Sequence, residues 1–315
     1  MEQERFVRVP FVSIAATSIT QYFRTFDIKT NKFLPPKITL ENGDEQEVKP
    51  PKFDAHKGIL SEKAKRQLVR SVNNLLLSVD ENILLDGRGK ENVSFITLTL
   101  PSSQILSYST SLIKFYHTDQ EIKSKCLNQF LIEIKEKGVK NFVWVAEKQL
   151  NANIHFHILV DKNLDKDFVR TSWNRIINKL GYVDRYSQKM SELSFSEICQ
   201  LRKKERKSEL QLKKAFEYGI KTKWMQPNST DTAPLQNVDN VSAYVAKYVS
   251  KGFGHEDKEV KKYIAALSAK YELSEFAIKQ LYTIDGRIWQ CSQSVSRSRK
   301  CVDFLEDSIK MKLIN

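Results

Sequence analysis

The sequence NANIHFHILVD, residues 151–161, is the best starting point for interpreting the chain. Apolar residues alternate with His155 and His157 from Ile154 to Val160. Side chains on a β-strand point alternately to its two faces, so both imidazoles should point the same way, with Cβ atoms about 6.5–7 Å apart. Two rings at that spacing can converge on one ion.

A second run rich in aromatic and β-branched residues, FVWVAEKQL at 142–150, comes just before. The polar residues 151–153 lie between the two runs, and the whole predicts a β-hairpin. A three-residue loop at 151–153 places Glu147 opposite His157, and directly paired residues share a face. A two-residue loop would put Glu147 on the other face. We therefore predict the three-residue loop.

The predicted metal ligands are His155, His157 and Glu147. Gln149, which the same register places opposite His155, is a second candidate for a ligand or a neighbouring partner. The alternative is that the histidines are two polar residues on the solvent face of a half-buried strand. Ligand types alone do not distinguish Zn²⁺ from Mg²⁺ or Mn²⁺, and our expectation is Mg²⁺ or Mn²⁺.

A pair of tyrosines marks the second motif, NVDNVSAYVAKYVSK at 237–251, which predicts a helix with a polar start. Tyr244 and Tyr248 are neighbours on one helix face, and Lys247 and Lys251 each follow a tyrosine by three residues. Tyrosines at this spacing usually pack in a core, but the lysines would bring charge into such a core. A nearby ammonium group or metal would favour the phenolate.

These two motifs, preceded by FITLTLP at 95–101, resemble the HUH endonuclease superfamily. Within it, they are similar to rolling-circle replication initiators with two tyrosines, of the gene A type found in small single-stranded DNA phages. The resemblance covers about residues 90–255. It implies a five-stranded sheet with the HUH strand in its middle.

The resemblance also implies an activity, that of a site-specific single-strand DNA endonuclease and strand transferase. Tyr244 and Tyr248 would be the nucleophiles, and a 5′-phosphotyrosine would store the energy of the broken bond. Lys251 and Lys247 would stabilise phosphate charge. The implied partners are a single-stranded replication origin, the host helicase and the replication machinery, in the cytoplasm of a bacterial host.

The composition agrees with a nucleic-acid partner. The 315 residues carry a formal net charge of +13, which favours a polyanion. No segment approaches about 18 apolar residues, so no membrane span is expected. The four cysteines show no C-x-x-C pairing and are expected to be reduced thiols.

Two basic segments are candidates for contact with the DNA backbone. Residues 200–224 contain nine Lys or Arg and three Glu, and read as a helical insertion at about 195–225. The tail at 285–300 adds arginines near a tryptophan. The alternative for residues 200–224 is a helix that is merely solvated. The alternative for the tail is a strand or arm packed on the core. The candidate residues are Arg202, Lys203, Lys204, Arg206, Lys207, Arg287, Arg297 and Arg299.

The predicted fold class is α+β, a central antiparallel sheet of about five strands with helices packed on it and helical extensions. Helices are predicted at 61–78, with a basic side, and at 118–137, 168–180, 196–224, 257–270 and 274–282. Residues 227–234 are predicted to be a polar linker. The predicted domains are an N-terminal extension at 1–89, a nuclease core at 90–255 and a C-terminal extension at 256–315.

Three other functions are compatible with the residues. A mobilisation relaxase or a transposase of the same superfamily would use the same chemistry. A basic DNA-binding protein without catalysis would keep the histidines as a structural site. A zinc hydrolase would use the three ligands without the tyrosines.

Overall fold

A computed structural model describes residues 5–15, 18–34, 37–39, 45–47, 60–79, 93–202, 208–234, 258–297 and 301–304. The chain divides into two compact units, Met1–Ala55 with Arg297–Asn315, and His56–Ser296. The domain boundaries predicted near residues 89 and 255 both lie outside the described residues.

The smaller unit contains a four-stranded sheet. The long strands β1 (Phe6–Ala15) and β2 (Ser18–Asp27) form a hairpin, and the sheet order is β13-β1-β2-β3, with β3 at Lys32–Phe33 and β13 at Cys301–Phe304. Two short strands, β4 (Lys37–Thr39) and β5 (Glu45–Glu47), pair with each other. The C-terminal strand thus pairs with the N-terminal one.

The larger unit is built on a five-stranded antiparallel sheet. Its order is β11-β6-β10-β9-β12, with strands at Thr230–Pro234, Ser94–Leu98, Ile154–Val160, Phe142–Lys148 and Trp289–Cys291. The strand with both histidines, β10, is in the middle, so the α+β class and the central sheet are confirmed. A separate hairpin, β7 (Ile105–Tyr108) with β8 (Ile113–Phe115), was not predicted.

Nine helices lie among the described residues, at Glu62–Ser78 (α1), 119–136 (α2), Lys166–Asn178 (α3), Tyr182–Ser191 (α4), Phe195–Leu201 (α5), Glu209–Lys221 (α6), Lys258–Tyr271 (α7), Glu275–Tyr282 (α8) and Gln293–Arg297 (α9). In α2, a π-helical turn at Lys123–Leu127 separates Asp119–Ile122 from Asn128–Glu136. None of the helices in the described ranges is both long and apolar enough to cross a bilayer.

The sheet has two different faces because side chains alternate along each strand. Ile96, Phe156 and Ile158 are fully buried on one face, where Phe156 packs edge-on against Trp173 of α3. The histidines point to the other face. On that face, Cys291 lies opposite Val143 in the strand pairing, and its side chain forms a hydrogen bond with Ser71 of α1. Helix α1 therefore packs on the face that carries the histidines, at the end of the sheet away from Glu147.

Helix ends follow the capping signals in the sequence. The Ser61 side chain caps α1, and Thr118 with Glu121 forms the predicted capping box of α2. Gly138, after α2, and Gly181, after α3, have positive φ of 91° and 74°, which glycine adopts without strain.

One expectation about these segments is wrong. Residues 227–234 are not simply a linker, because Thr230–Pro234 forms the edge strand β11. For the tail at 285–300, the alternative of a strand packed on the core is the one observed, because Trp289–Cys291 is the other edge strand, β12. Edge strands gain hydrogen bonds from one neighbour only and have weak sequence patterns. Cys126, Cys199 and Cys291 are free thiols, as expected.

Candidate metal centre

The hairpin that carries the histidines has a three-residue loop, but one residue earlier than predicted. The backbone N–H of Gln149 donates to Asn153 O at 2.9 Å, and this bond closes a loop at 150–152. Ala152 supplies the left-handed conformation with φ of 62°. In the resulting register Glu147 pairs with His155, and Val145 with His157.

The predicted register, with Glu147 opposite His157 and Gln149 opposite His155, is therefore wrong by two positions. Moving the loop by one residue moves the pairing by two, and a shift of two positions keeps every side chain on its face. Glu147 stays beside the histidines for this reason. Gln149 instead belongs to the closing pair of the loop.

The Asn153 side chain accounts for the position of the loop. Asn153 is 1% exposed. Its amide oxygen accepts from Gln104 N at 2.8 Å, and its amide nitrogen donates to Ser102 O at 2.9 Å. Such a residue is fixed within the core, so it cannot be part of an exposed turn.

The structure brings Glu147, His155 and His157 together. Glu147 Oε1 lies 3.1 Å from His157 Nε2 and 3.9 Å from His155 Nε2, and one ligand atom from each residue lies within 4.8 Å of the others. The two rings are 4.5 Å apart at 77°. The side chains of the histidines are 10% and 7% exposed, and that of Glu147 is 20% exposed, so the carboxylate is the part of the cluster most open to solvent.

Residues of β6 orient His157. Thr97, which pairs with His157 across the strands, places Oγ1 3.3 Å from His157 Nδ1. The ring of Phe95 stacks on the imidazole at 5.3 Å and 23°. If Nδ1 carries the proton and donates it to Thr97, Nε2 is left free to bind an ion beside Glu147, which is how metal-binding histidines are normally held.

His155 is suited to bind a cation as a neutral ring. Burial lowers the pKa of His155 to about 3, and the adjacent His157 acts in the same direction. The imidazole is therefore unprotonated at neutral pH, as a metal ligand must be. His155 Nδ1 is buried and has no hydrogen-bond partner among the described residues.

The three side chains fit a divalent ion. Bonds of about 2.1 Å from one ion to two ligands at a right angle leave the ligand atoms about 3.0 Å apart. The distances of 3.1 and 3.9 Å need only small adjustments to meet this requirement. Two imidazoles and one carboxylate leave coordination positions open for substrate oxygens.

Residues 93–253 match the family described as replication-associated protein, ORF2 or gene 2 protein type. The match spans about half of the 315 residues and contains the whole hairpin. This chain belongs to that family of replication-associated proteins. The family is of the rolling-circle replication initiator type, so the resemblance inferred from the sequence is confirmed. No curated protein and no solved structure matches the chain significantly.

Several predicted site residues of this replication-associated protein lie outside the described residues. They are the tyrosines and lysines of the predicted helix and most of the basic candidates, namely Tyr244, Tyr248, Lys247, Lys251, Lys203, Lys204, Arg206, Lys207 and Arg299. Among the others, Arg202 follows α5 and is half-buried, Arg287 is exposed before β12, and Arg297 ends α9.

Two polar residues on the face of the metal centre were not identified from the sequence. Thr97 lies between apolar residues of FITLTLP, and its alternation with Ile96 and Leu98 indicates that it faces the other way. Asp231 pairs with Thr97 from β11 and is exposed. Two strand spacings separate its Cα from that of His157 by about 9.6 Å. Asp231 could be found only by recognising β11.

Proposed function

We propose that the protein is a metal-dependent, site-specific single-strand DNA endonuclease and strand transferase that initiates rolling-circle replication. The observation that carries the proposal is the convergence of Glu147, His155 and His157 on the middle of the sheet, in a chain of the replication-associated family. The histidines are buried and oriented by neighbours, whereas polar residues on a solvent face would be mobile and independent.

Glu147, His155 and His157 would hold the ion, which we expect to be Mg²⁺ or Mn²⁺. When bound, it would polarise the scissile phosphate and orient it. Glu147 also contributes negative charge that offsets the charge of the cation. The two imidazole ligands would add no charge of their own, which would leave the remaining positive charge for the phosphate oxygens.

Tyr244 or Tyr248 would supply the nucleophile. The phenol oxygen forms a bond to phosphorus while the bond from phosphorus to the 3′ oxygen breaks. The phenol loses its proton, and the leaving oxygen gains one to become a free 3′-OH. The 5′ end stays on the enzyme as a phosphotyrosine diester, so a 3′-OH can later attack it and rejoin the strands without ATP.

A second tyrosine one helical turn from the first would cut the regenerated origin after one round. Both phenols must then reach the same phosphate, which i, i+4 spacing allows. Lys247 and Lys251 would stabilise phosphate charge in the transition state. The DNA partner is a single-stranded origin, and a host helicase and the host replication machinery in the bacterial cytoplasm would complete the reaction.

The family description favours replication over the mobilisation relaxase and the transposase. Two alternative functions remain, and one experiment can separate them from the proposed function. One is a basic DNA-binding protein without catalysis, and the other is a zinc hydrolase that does not use the tyrosines.

The test is to incubate the purified protein with single strands that cover its replicon in Mn²⁺ or Mg²⁺, and to look for a covalent adduct by denaturing electrophoresis. Mass spectrometry of a trapped peptide should then find a nucleotide on Tyr244 or Tyr248. Absence of an adduct with every divalent ion would support the DNA-binding protein. Cleavage that persists in the Tyr244→Phe/Tyr248→Phe double variant would support the hydrolase.

A further inference from the structure

Unpartnered polar atoms are concentrated around Arg185 in α4. In the described part of the chain, nine buried side-chain nitrogen and oxygen atoms have no hydrogen-bond partner, and four of them are in this cluster. They are Arg185 Nε, Arg185 Nη2, Tyr182 OH and His117 Nδ1. Buried polar groups normally have partners, so a cluster of exceptions marks a place where an added polar partner would be stabilised.

Arg185 is held rigidly. Its guanidinium carbon lies 4.2 Å from the ring centre of Tyr116 and 4.5 Å from that of Tyr182. Nη1 donates to Leu180 O at 3.1 Å. Gly181 leaves room for this arrangement, since a Cβ there would be 2.9 Å from Arg185 Nη1. The side of the guanidinium formed by Nε and Nη2 is the part that has no partner.

No carboxylate among the described residues forms an ion pair with this arginine. The neighbouring acids have other partners. Glu121 binds Lys125 at 3.1 Å, and Asp119 binds Lys148 at 2.7 Å. A guanidinium cannot lose its proton to escape an unpaired position. A partner that fits Arg185 is therefore expected to be an anion.

The neighbours of Arg185 supply further donors. Tyr182 is fully buried, and burial raises the pKa of its phenol above the usual range, so the OH keeps its proton. The ring of His117 lies 5.6 Å from that of Tyr182. Burial lowers the pKa of His117, with Arg185 acting in the same direction, so a neutral imidazole can donate one N–H. The Nε and Nη2 groups of arginine match two oxygens of a phosphate.

A short chain of hydrogen bonds connects this cluster to the metal centre. Asn153, two residues before His155, donates to Ser102 O at 2.9 Å, and Ser102 Oγ donates to Tyr182 O at 2.9 Å. The cluster therefore lies near the end of the sheet where Glu147 and His155 stand, on the opposite face, which α3 covers. A strand bound at the metal centre would reach it by crossing this end of the sheet.

We propose that Arg185, with Tyr182 and His117, binds a phosphate group of the single-stranded DNA that the metal centre holds. The proposal rests on the proposed function for the identity of the ligand. Tyr116 is 41% exposed and covers the guanidinium, so its ring must turn aside when the phosphate enters. Arg185 thus positions the strand and takes no part in the chemistry.

The first test measures binding of the full-length protein to a fluorescein-labelled thymidine oligonucleotide by anisotropy in EDTA, where no cleavage occurs. Arg185→Gln should lower the affinity by about tenfold and make the slope of log affinity against log salt shallower by about 0.7. Arg185→Lys keeps the positive charge, so it should lose only part of the affinity for the oligonucleotide and leave the salt dependence of binding unchanged. The control is Arg175→Gln, which removes the same charge from an exposed arginine bound to Glu133 at 2.7 Å and should change neither quantity.

The second test separates DNA phosphate from free phosphate. Inorganic phosphate should raise the Tm of the wild-type protein and compete with the oligonucleotide, and it should do neither with Arg185→Gln. A Tm effect that depends on Arg185 without any effect of Arg185→Gln on DNA affinity would overturn the assignment to DNA. Equal behaviour of Arg185→Gln and Arg175→Gln in both tests would overturn the site itself. Both tests are done in EDTA, so a failure to find covalent adducts leaves their result unaffected.

Discussion

Glu147 lies directly opposite His155 in the strand pairing, yet its carboxylate oxygen is closer to His157, 3.1 Å from Nε2 against 3.9 Å for His155. The side chain therefore leans along the strand and bridges the two imidazoles. This diagonal reach gives one carboxylate contact with both histidines. Glu147 is therefore the central member of the cluster, and removal of its carboxylate charge should cause a large loss of metal affinity.

Glu147→Gln should weaken Mn²⁺ binding by at least about tenfold, because an amide keeps the size of the side chain and loses its charge. Isothermal titration calorimetry would measure the affinity. The matched control is Gln149→Ala, at the neighbouring position that the sequence also offers as a ligand. Its backbone closes the loop, so Mn²⁺ affinity should not change. An equal loss in both variants would contradict the assignment of Glu147.

Thr97→Val should lower Mn²⁺ affinity by about tenfold without a large loss of stability, because only the hydroxyl beside His157 Nδ1 is removed. The control is Thr283→Val. The hydroxyl of Thr283 donates to Lys279 O at 2.7 Å at the end of α8, outside the sheet that carries the histidines. Calorimetry would measure the Mn²⁺ affinity of both variants, and thermal unfolding would measure their stability. A Thr97→Val protein with wild-type affinity would show that Thr97 does not orient His157.

The metal-centre strands could be predicted because local patterns set them. The alternation in 154–160 indicated the face of His155 and His157. The predicted register was wrong by two positions, but an even shift leaves each side chain on the same face, so Glu147 was still predicted on the face of the histidines. The exact register could not be obtained from the hairpin, since it depends on Asn153 and its bonds to Gln104 and Ser102. Those partners are about 50 residues away in sequence.

For a related reason, the edge strand β11 was not predicted and β12 was only one of two alternatives for the tail. Thr230–Pro234 and Trp289–Cys291 are short, and they become strands because Leu98 and Val145 offer hydrogen-bonding neighbours. Asp231 and Pro234 of β11 also have low strand preference. Because β11 was not predicted, its residue Asp231 was not predicted to lie on the face of the metal centre.

Lys148→Met should destabilise the protein by about 3 kcal/mol, because it leaves the Asp119 carboxylate buried without its cation. The two side chains are 1% and 4% exposed and lie 2.7 Å apart. The control is Lys125→Met, which breaks the exposed pair with Glu121 at 3.1 Å and should cost less than about 0.5 kcal/mol. Urea unfolding of both variants gives the comparison. Equal midpoints would show that the buried pair does not stabilise the sheet.

Either Tyr244→Phe or Tyr248→Phe alone should leave part of the nicking activity, and the double variant should leave none, if both phenols can reach the same phosphate. Removing one hydroxyl leaves the other nucleophile in place, and rejoining by a 3′-OH needs no second tyrosine. Cutting a regenerated origin while the first tyrosine holds the 5′ end needs both, so this second cut should fall more steeply in each single variant. The control is Tyr218→Phe, whose side chain is on α6 and 51% exposed, and it should nick and rejoin normally. Gel assays on labelled single strands would separate the two activities. If both single variants lack all nicking, the two tyrosines do not act as alternative nucleophiles, and one of them serves only to position the other.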